Sequence, residues 1–184
     1  LGTPRYCRHR VEIGTEERRY RPARAHAVAG ATGTLRRPSL TTMARVDFYI
    51  LAQADERARQ VLACKLAEKA WRLDNSVYVH TRDSADAERL DELMWVFRDG
   101  SFVPHGLAGS SDGTEASPIV IGCNPGDVEA RDLLINLGDD IPAFAEGFPR
   151  VAELVTSDEQ CRSLSRKRYA TYRDQGHELN THNL

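Results

Sequence analysis

The chain has 184 residues, 41% of them hydrophobic and 28% charged, with a formal net charge of −2. That length supports one α/β domain with a substantial core, is short for two, and has neither a disordered nor a fibrous composition. No apolar run approaches the roughly 18 residues of a membrane-crossing helix, and the N-terminus has no apolar signal-peptide core, so a cytoplasmic location is expected.

Residues 1–42 carry nine Arg, no Lys and three Glu, whereas residues 43–184 carry 16 Lys and Arg against 24 Asp and Glu. The first segment is dotted with Pro, Gly and Arg and shows neither helical nor alternating apolar period. It reads either as a basic arm for nucleic acid or as an extension that is disordered or owed to start-site choice. The dispersed arginines favour the extension, and no function rests on it. The excess of acids in residues 43–184 argues against a general nucleic-acid binder, which needs clustered positive charge to release counterions.

From residue 44 strand and helix patterns alternate. RVDFYILA, rich in aromatic and β-branched residues, is expected as a strand. Asp55 then offers an N-terminal acid for a helix through ERARQVLACKLAEKAWRL, whose apolar residues recur every three or four positions. Asp74-Asn75 marks a turn before the strand SVYVHT. Ser84 and Asp86 are candidate caps for the helix ADAERLDELMWVF. A polar connection from Arg98 to Ser117 precedes the buried-strand pattern PIVIGC and the turn NPGD. DLLINL and RVAELV read as two more strands, separated by DDIPAFAEGF, which has no clear assignment. A last helix is expected from Ser157 or Asp158 to about Gln175, with Gly176 as its stop. Such alternation predicts an α/β fold of three layers, a mainly parallel sheet with helices on both faces.

A parallel sheet of this kind usually binds ligands at the carboxyl ends of its strands, which makes the missing motifs informative. There is no G-x-x-x-x-G-K-[ST] loop to cradle phosphates and no G-x-G-x-x-G after the first strand. Six histidines form no paired-ligand pattern. His80, at a strand end, could serve as a general base, but no G-x-S-x-G nucleophile accompanies it. The four cysteines lack a C-x-x-C pair and read as structural thiols. No catalytic residue, cofactor or metal is expected.

The last helix carries the strongest signal. At 100° per residue, Arg162, Arg166, Tyr169 and Arg173 fall within a sector of about 60°. Cys161, Leu164, Ser165 and Tyr172 form a different, core-facing sector. Arg168 shares that second sector, so it must snorkel or pair. Arginines one turn apart can grip carboxylates while an aromatic ring gives an apolar wall, which suits an acidic peptide with a hydrophobic anchor. A solvated basic face paired with the protein's own acids has the same pattern. Trp95, at the end of its helix, and Phe102 and Pro104, in the following loop, suit either the core or an exposed patch for a partner.

The stretches FYIL, RLDELMW, SFVPHGLAG and RYATYRDQGHELN resemble the chi subunit of bacterial DNA polymerase III. The resemblance spans nearly all of residues 43–184 and none of residues 1–42. It implies a Rossmann-like three-layer fold with no phosphate-binding loop and no nucleotide chemistry, and a non-catalytic role in the clamp-loader assembly, linking it to single-stranded DNA-binding protein (SSB). In that family the acidic, Phe-terminated SSB tail docks on chi. The resemblance carries this site onto Val155, Arg166 and Tyr169, and the helical placement adds Arg162 and Arg173. A second surface, for the psi subunit or another clamp-loader subunit, maps onto Trp95, Phe102 and Pro104. One departure is Ala170, where some relatives carry a basic residue. Two alternatives are a small α/β nucleotide-binding protein or enzyme using the carboxyl edge of the sheet, and direct single-strand DNA binding through the basic helix.

Overall fold

The computed structural model describes residues 43–100, 102–109, 117–124 and 131–184. The predicted N-terminal extension, 1–42, lies outside these residues, as do Cys7 and most of the NPGD turn.

In chain order the elements are β1 (Arg45–Ile50), α1 (Glu56–Trp71), β2 (Val77–His80), α2 (Ser84–Val96), β3 (His105–Leu107), β4 (Ile119–Gly122), β5 (Leu133–Asn136), a 3₁₀ turn (Ala143–Gly147), β6 (Arg150–Val155), α3 (Glu159–Asp174) and β7 (Glu178–Asn183). The strands form one sheet in the order β3-β4-β2-β5-β6-β1-β7, and every pairing is parallel.

Period-two alternation divides the apolar residues between the two faces. Val77, Val79, Ile119, Ile121, Leu133, Ile135, Ala152 and Leu154 face one core with Ala63, Cys64 and Ala67 of α1 and Leu90, Leu93 and Met94 of α2. Phe48, Tyr78, Val120, Leu134, Val151 and Val155 face the other, closed by Tyr172 of α3 and by Ala145 and Phe148 at the 3₁₀ turn. The three-layer arrangement expected from the strand–helix alternation is therefore present.

Asp55 caps α1, its carboxylate accepting from Arg57 N at 2.9 Å, and Asp74 takes the left-handed turn conformation at φ 59°. For α2 the expectation of Ser84 or Asp86 is corrected. Asp83 is the N-cap, accepting from Asp86 N at 2.8 Å, while the Asp86 side chain is held by Arg82 and Arg89. The Arg98–Ser117 connection also contains β3, a three-residue strand too short to show a period. DDIPAFAEGF contributes the 3₁₀ turn. Gly176 ends the α3 turn at φ 82°. The chain then continues into β7, which the polar sequence ELNTHN does not announce.

Candidate functional site

Helix α3 begins at Asp158, whose carboxylate accepts from Cys161 N at 2.9 Å. It packs against β6 and β7, with Ser165, Arg168 and Tyr172 buried. The arginine on the core-facing sector pairs. Arg168 Nε donates to Glu153 Oε2 at 3.0 Å, and its Nη1 donates to the Asp139 carbonyl at 2.6 Å. Glu153 stands on β6 between Val151 and Val155. Its Oε1 also accepts from Asn136 Nδ2 at 2.9 Å and from the Tyr172 hydroxyl at 3.2 Å. Burial raises the Glu153 pKa, against the opposing pull of Arg168, Asn136 and Tyr172. Burial and the neighbouring Glu153 push the Tyr172 phenol well above its usual range. This network fixes the rotation of α3 about its own axis.

The opposite sector consequently faces solvent. Arg162, Arg166, Tyr169 and Arg173 are all exposed, on the face that helical periodicity assigned them. The Tyr169 ring rests 5.2 Å from that of Phe48, a buried β1 residue that sequence reasoning did not single out. Val155 is only 3% exposed and belongs to the same packed cluster as Phe48. It lies beneath the surface that the resemblance assigned to it. Two of the three arginines have an acid nearby: Arg166 Nη1 donates to Glu159 Oε1 at 3.1 Å, and Arg173 Nη2 to Asp174 Oδ1 at 2.9 Å.

A second surface lies at the other edge of the sheet. Trp95 is 52% exposed, Phe102 68% and the intervening Val96 69%, which rules out the core reading of these aromatics. The Trp95 ring lies 5.6 Å from Phe102 and 4.7 Å from His105. His105 is buried and donates through Nδ1 to the Val103 carbonyl at 2.6 Å, so it forms a fixed base for the indole. Pro104 is half-buried beside them. His105 meets the Trp95 ring only through the turn of the chain into β3. At about 4.8 Å per strand, the α2 edge and the α3 edge of the sheet stand roughly 25 Å apart, and the two helices lie on opposite faces. The surfaces do not overlap.

At the carboxyl edge of the sheet, a cleft of about 230 Å³ is lined by Glu56, Arg59, Arg82, Asp139 and Thr156, among others. Of the three arginines that line it, Arg59 and Arg82 are committed internally, and Arg168 pairs with Glu153 while its Nη2 has no hydrogen-bond partner among the described residues. Arg59 donates to the Leu154 carbonyl at 2.9 Å and pairs with Glu56, and Arg82 holds Asp86 at 2.8 Å. His80, also at a strand end, lies edge-on to Phe144 at 5.3 Å, and burial depresses its imidazole pKa. Among the described residues there is no group of three or more His, Cys, Asp or Glu that could hold a metal ion. No described helix is long and apolar enough to cross a membrane.

The family model described as DNA polymerase III chi subunit, HolC, matches residues 43–180. DNA polymerase III subunit chi of Pseudomonas aeruginosa is 44% identical over 142 residues, covering 77% of this chain and 98% of that protein. The Haemophilus influenzae and Escherichia coli subunits are 34% and 35% identical over 139 and 143 residues, covering 75% and 76% of this chain and 96% and 97% of their own lengths. Among solved structures, T4 UvsW is similar with a TM-score of 0.56 at 12% identity, over 79% of this chain and 42% of that one. A chain in a structure of S. cerevisiae Dbp5 bound to Nup159, Gle1, IP6 and ADP has a TM-score of 0.52 at 12% identity, over 74% and 41%. Similarity at that level concerns the fold alone, and this chain spans less than half of either. The sequence relatives, in contrast, align along nearly their whole lengths, and the chain belongs to the DNA polymerase III chi subunit family.

Proposed function

We propose that this chain is a non-catalytic accessory subunit of the DNA polymerase III assembly, which docks the acidic, Phe-terminated tail of SSB on α3 and a clamp-loader subunit such as psi on the Trp95 surface. The observation that carries the reading is the exposed row of Arg162, Arg166 and Arg173 around Tyr169, on a helix whose rotation is set by the buried Arg168–Glu153 pair. Guanidinium groups one turn apart match carboxylates in geometry and charge. Tyr169, backed by Phe48, supplies the apolar wall for the terminal ring. Val155 supports that wall from below. Trp95 and Phe102, with Pro104 between loop and strand, form an aromatic patch of the kind enriched at protein interfaces. The separation of the two surfaces lets one chain hold two partners at once, which is what a linker requires.

The test is fluorescence anisotropy with a labelled acidic peptide ending in Phe, titrated with the full chain and with Arg166→Ala. A hydrogen bond to a charged group contributes about 1.5–3 kcal/mol, so the variant is expected to bind roughly ten- to a hundredfold more weakly. Absence of saturable binding to the wild-type chain at low salt overturns tail docking on α3.

A further inference from the structure

Arg166 holds a carboxylate of its own helix, that of Glu159. Glu159 and Arg166 are seven residues apart on α3, two turns of helix, and so lie on one stripe of its surface. Their side chains are 75% and 61% exposed, which places the pair in the solvent layer that an arriving ligand must enter. Arg162 stands between them on the same face, with no ion-pair partner among the described residues.

We propose that Glu159 is an internal competitor for the acidic ligand of α3, a carboxylate that must leave the Arg166 guanidinium before the ligand's own carboxylate can take it. This rests on the tail-docking reading and specifies what limits its affinity. The arrangement follows from two local demands. An acid in the first turn of α3 is favoured by the partial positive charge of the helix N-terminus, and from that position its side chain reaches the arginine two turns on. A ligand carboxylate arriving at Arg166 meets both an occupied donor and a like charge. Release needs only side-chain rotation of Glu159, with no change in the backbone. Arg162 is the group on this face that a carboxylate can meet without breaking an internal bond, so it makes the first contact.

The experiment is the same anisotropy titration with full-length wild type, Glu159→Gln, Arg166→Ala and the double variant, at low and raised ionic strength. An exposed pair of this kind contributes little, so Glu159→Gln is expected to bind about two- to fivefold more tightly than wild type, with the gain shrinking as salt rises. Most of the gain is expected to be lost in the Arg166→Ala background, because contact competition needs both partners and only the weaker like-charge repulsion is left. An unchanged affinity for Glu159→Gln, in a wild type that binds and depends on Arg166, overturns the inference and leaves the docking site standing. A gain that persists in full without Arg166 also overturns it, since Glu159 would then act only through the general field. Failure of the wild type to bind overturns the docking reading and the inference with it.

Discussion

Arg168 and Glu153 form an ion pair between α3 and the central part of the sheet, with side chains only 5% and 0% exposed. The pair sits on the face of α3 opposite the basic row, so it decides which arginines reach solvent. Of the arginines on the helix, this one is structural.

Removal of Arg168 leaves Glu153 buried and without its counter-charge. Arg168→Ala is therefore expected to destabilise the fold by about 3–5 kcal/mol, read as a lowered urea midpoint at unchanged slope. Combining Arg168→Met with Glu153→Leu should recover part of that loss. Recovery stays incomplete because Asn136 and Tyr172 also lose their acceptor.

Tyr169 and Val155 should separate binding from stability. Tyr169 is 39% exposed with its ring against Phe48, so Tyr169→Ala is expected to weaken the acidic peptide while lowering stability by about 1 kcal/mol. Val155→Ala removes two buried methyl groups and should lower stability by about 2 kcal/mol. Parallel anisotropy and thermal denaturation of the two variants check the division.

At the other surface, Phe102 is exposed and its contact is the Trp95 ring, so Phe102→Ala is expected to lower stability by no more than about 1 kcal/mol. Trp95→Ala should lose somewhat more, because the indole also covers His105. Both should reduce capture of a purified psi subunit. A large drop in the thermal midpoint for Phe102→Ala would contradict the exposure seen here.

The acid limb of stability should depend on Asp47. Burial acts to raise its pKa, but hydrogen bonds from His182 and Arg150, with the charges of Arg150 and Arg45, outweigh it and hold the carboxyl below the usual carboxylate value. A pKa depressed in the folded state means stability that is present above the unfolded value near 3.9. It is lost as pH falls through the folded pKa. Asp47→Asn is expected to lower stability at neutral pH by about 1–2 kcal/mol and to flatten the loss between roughly pH 5 and 2, measured by denaturation at stepped pH.

Cys64 is fully buried, and burial pushes its thiol pKa up to about 12. It should resist a disulfide reagent at pH 8 in the native chain and react only after unfolding. Of the three described cysteines, Cys123 and Cys161 are half-buried free thiols and should label before Cys64, with mass spectrometry assigning the order.

Much of the molecule was legible before folding. Local signals identified β1, β2, β4, β5, β6 and the three helices, because β-branched apolar runs bounded by turns mark buried strands and the 3.6-residue repeat marks which side of a helix must be apolar. The same rule separated Arg162, Arg166, Tyr169 and Arg173 from Tyr172. It also marked Arg168 as a charge on the wrong side. β3 and β7 escaped because one is three residues long and the other is a polar edge strand. Their pairing is decided by neighbours distant in sequence.

The sequence by itself thus determined the layers, the face of α3 that carries the arginines and the resemblance that points to a partner. Only the tertiary structure decided that Glu153 answers Arg168, that Phe48 backs Tyr169, that Val155 is covered, that Trp95 and Phe102 meet in solvent, and that Glu159 holds Arg166. The β-strand contacts join residues far apart along the chain, and the choice of partner at each exposed charge depends on side-chain geometry within a few ångströms. Neither property has a period that can be read along the chain.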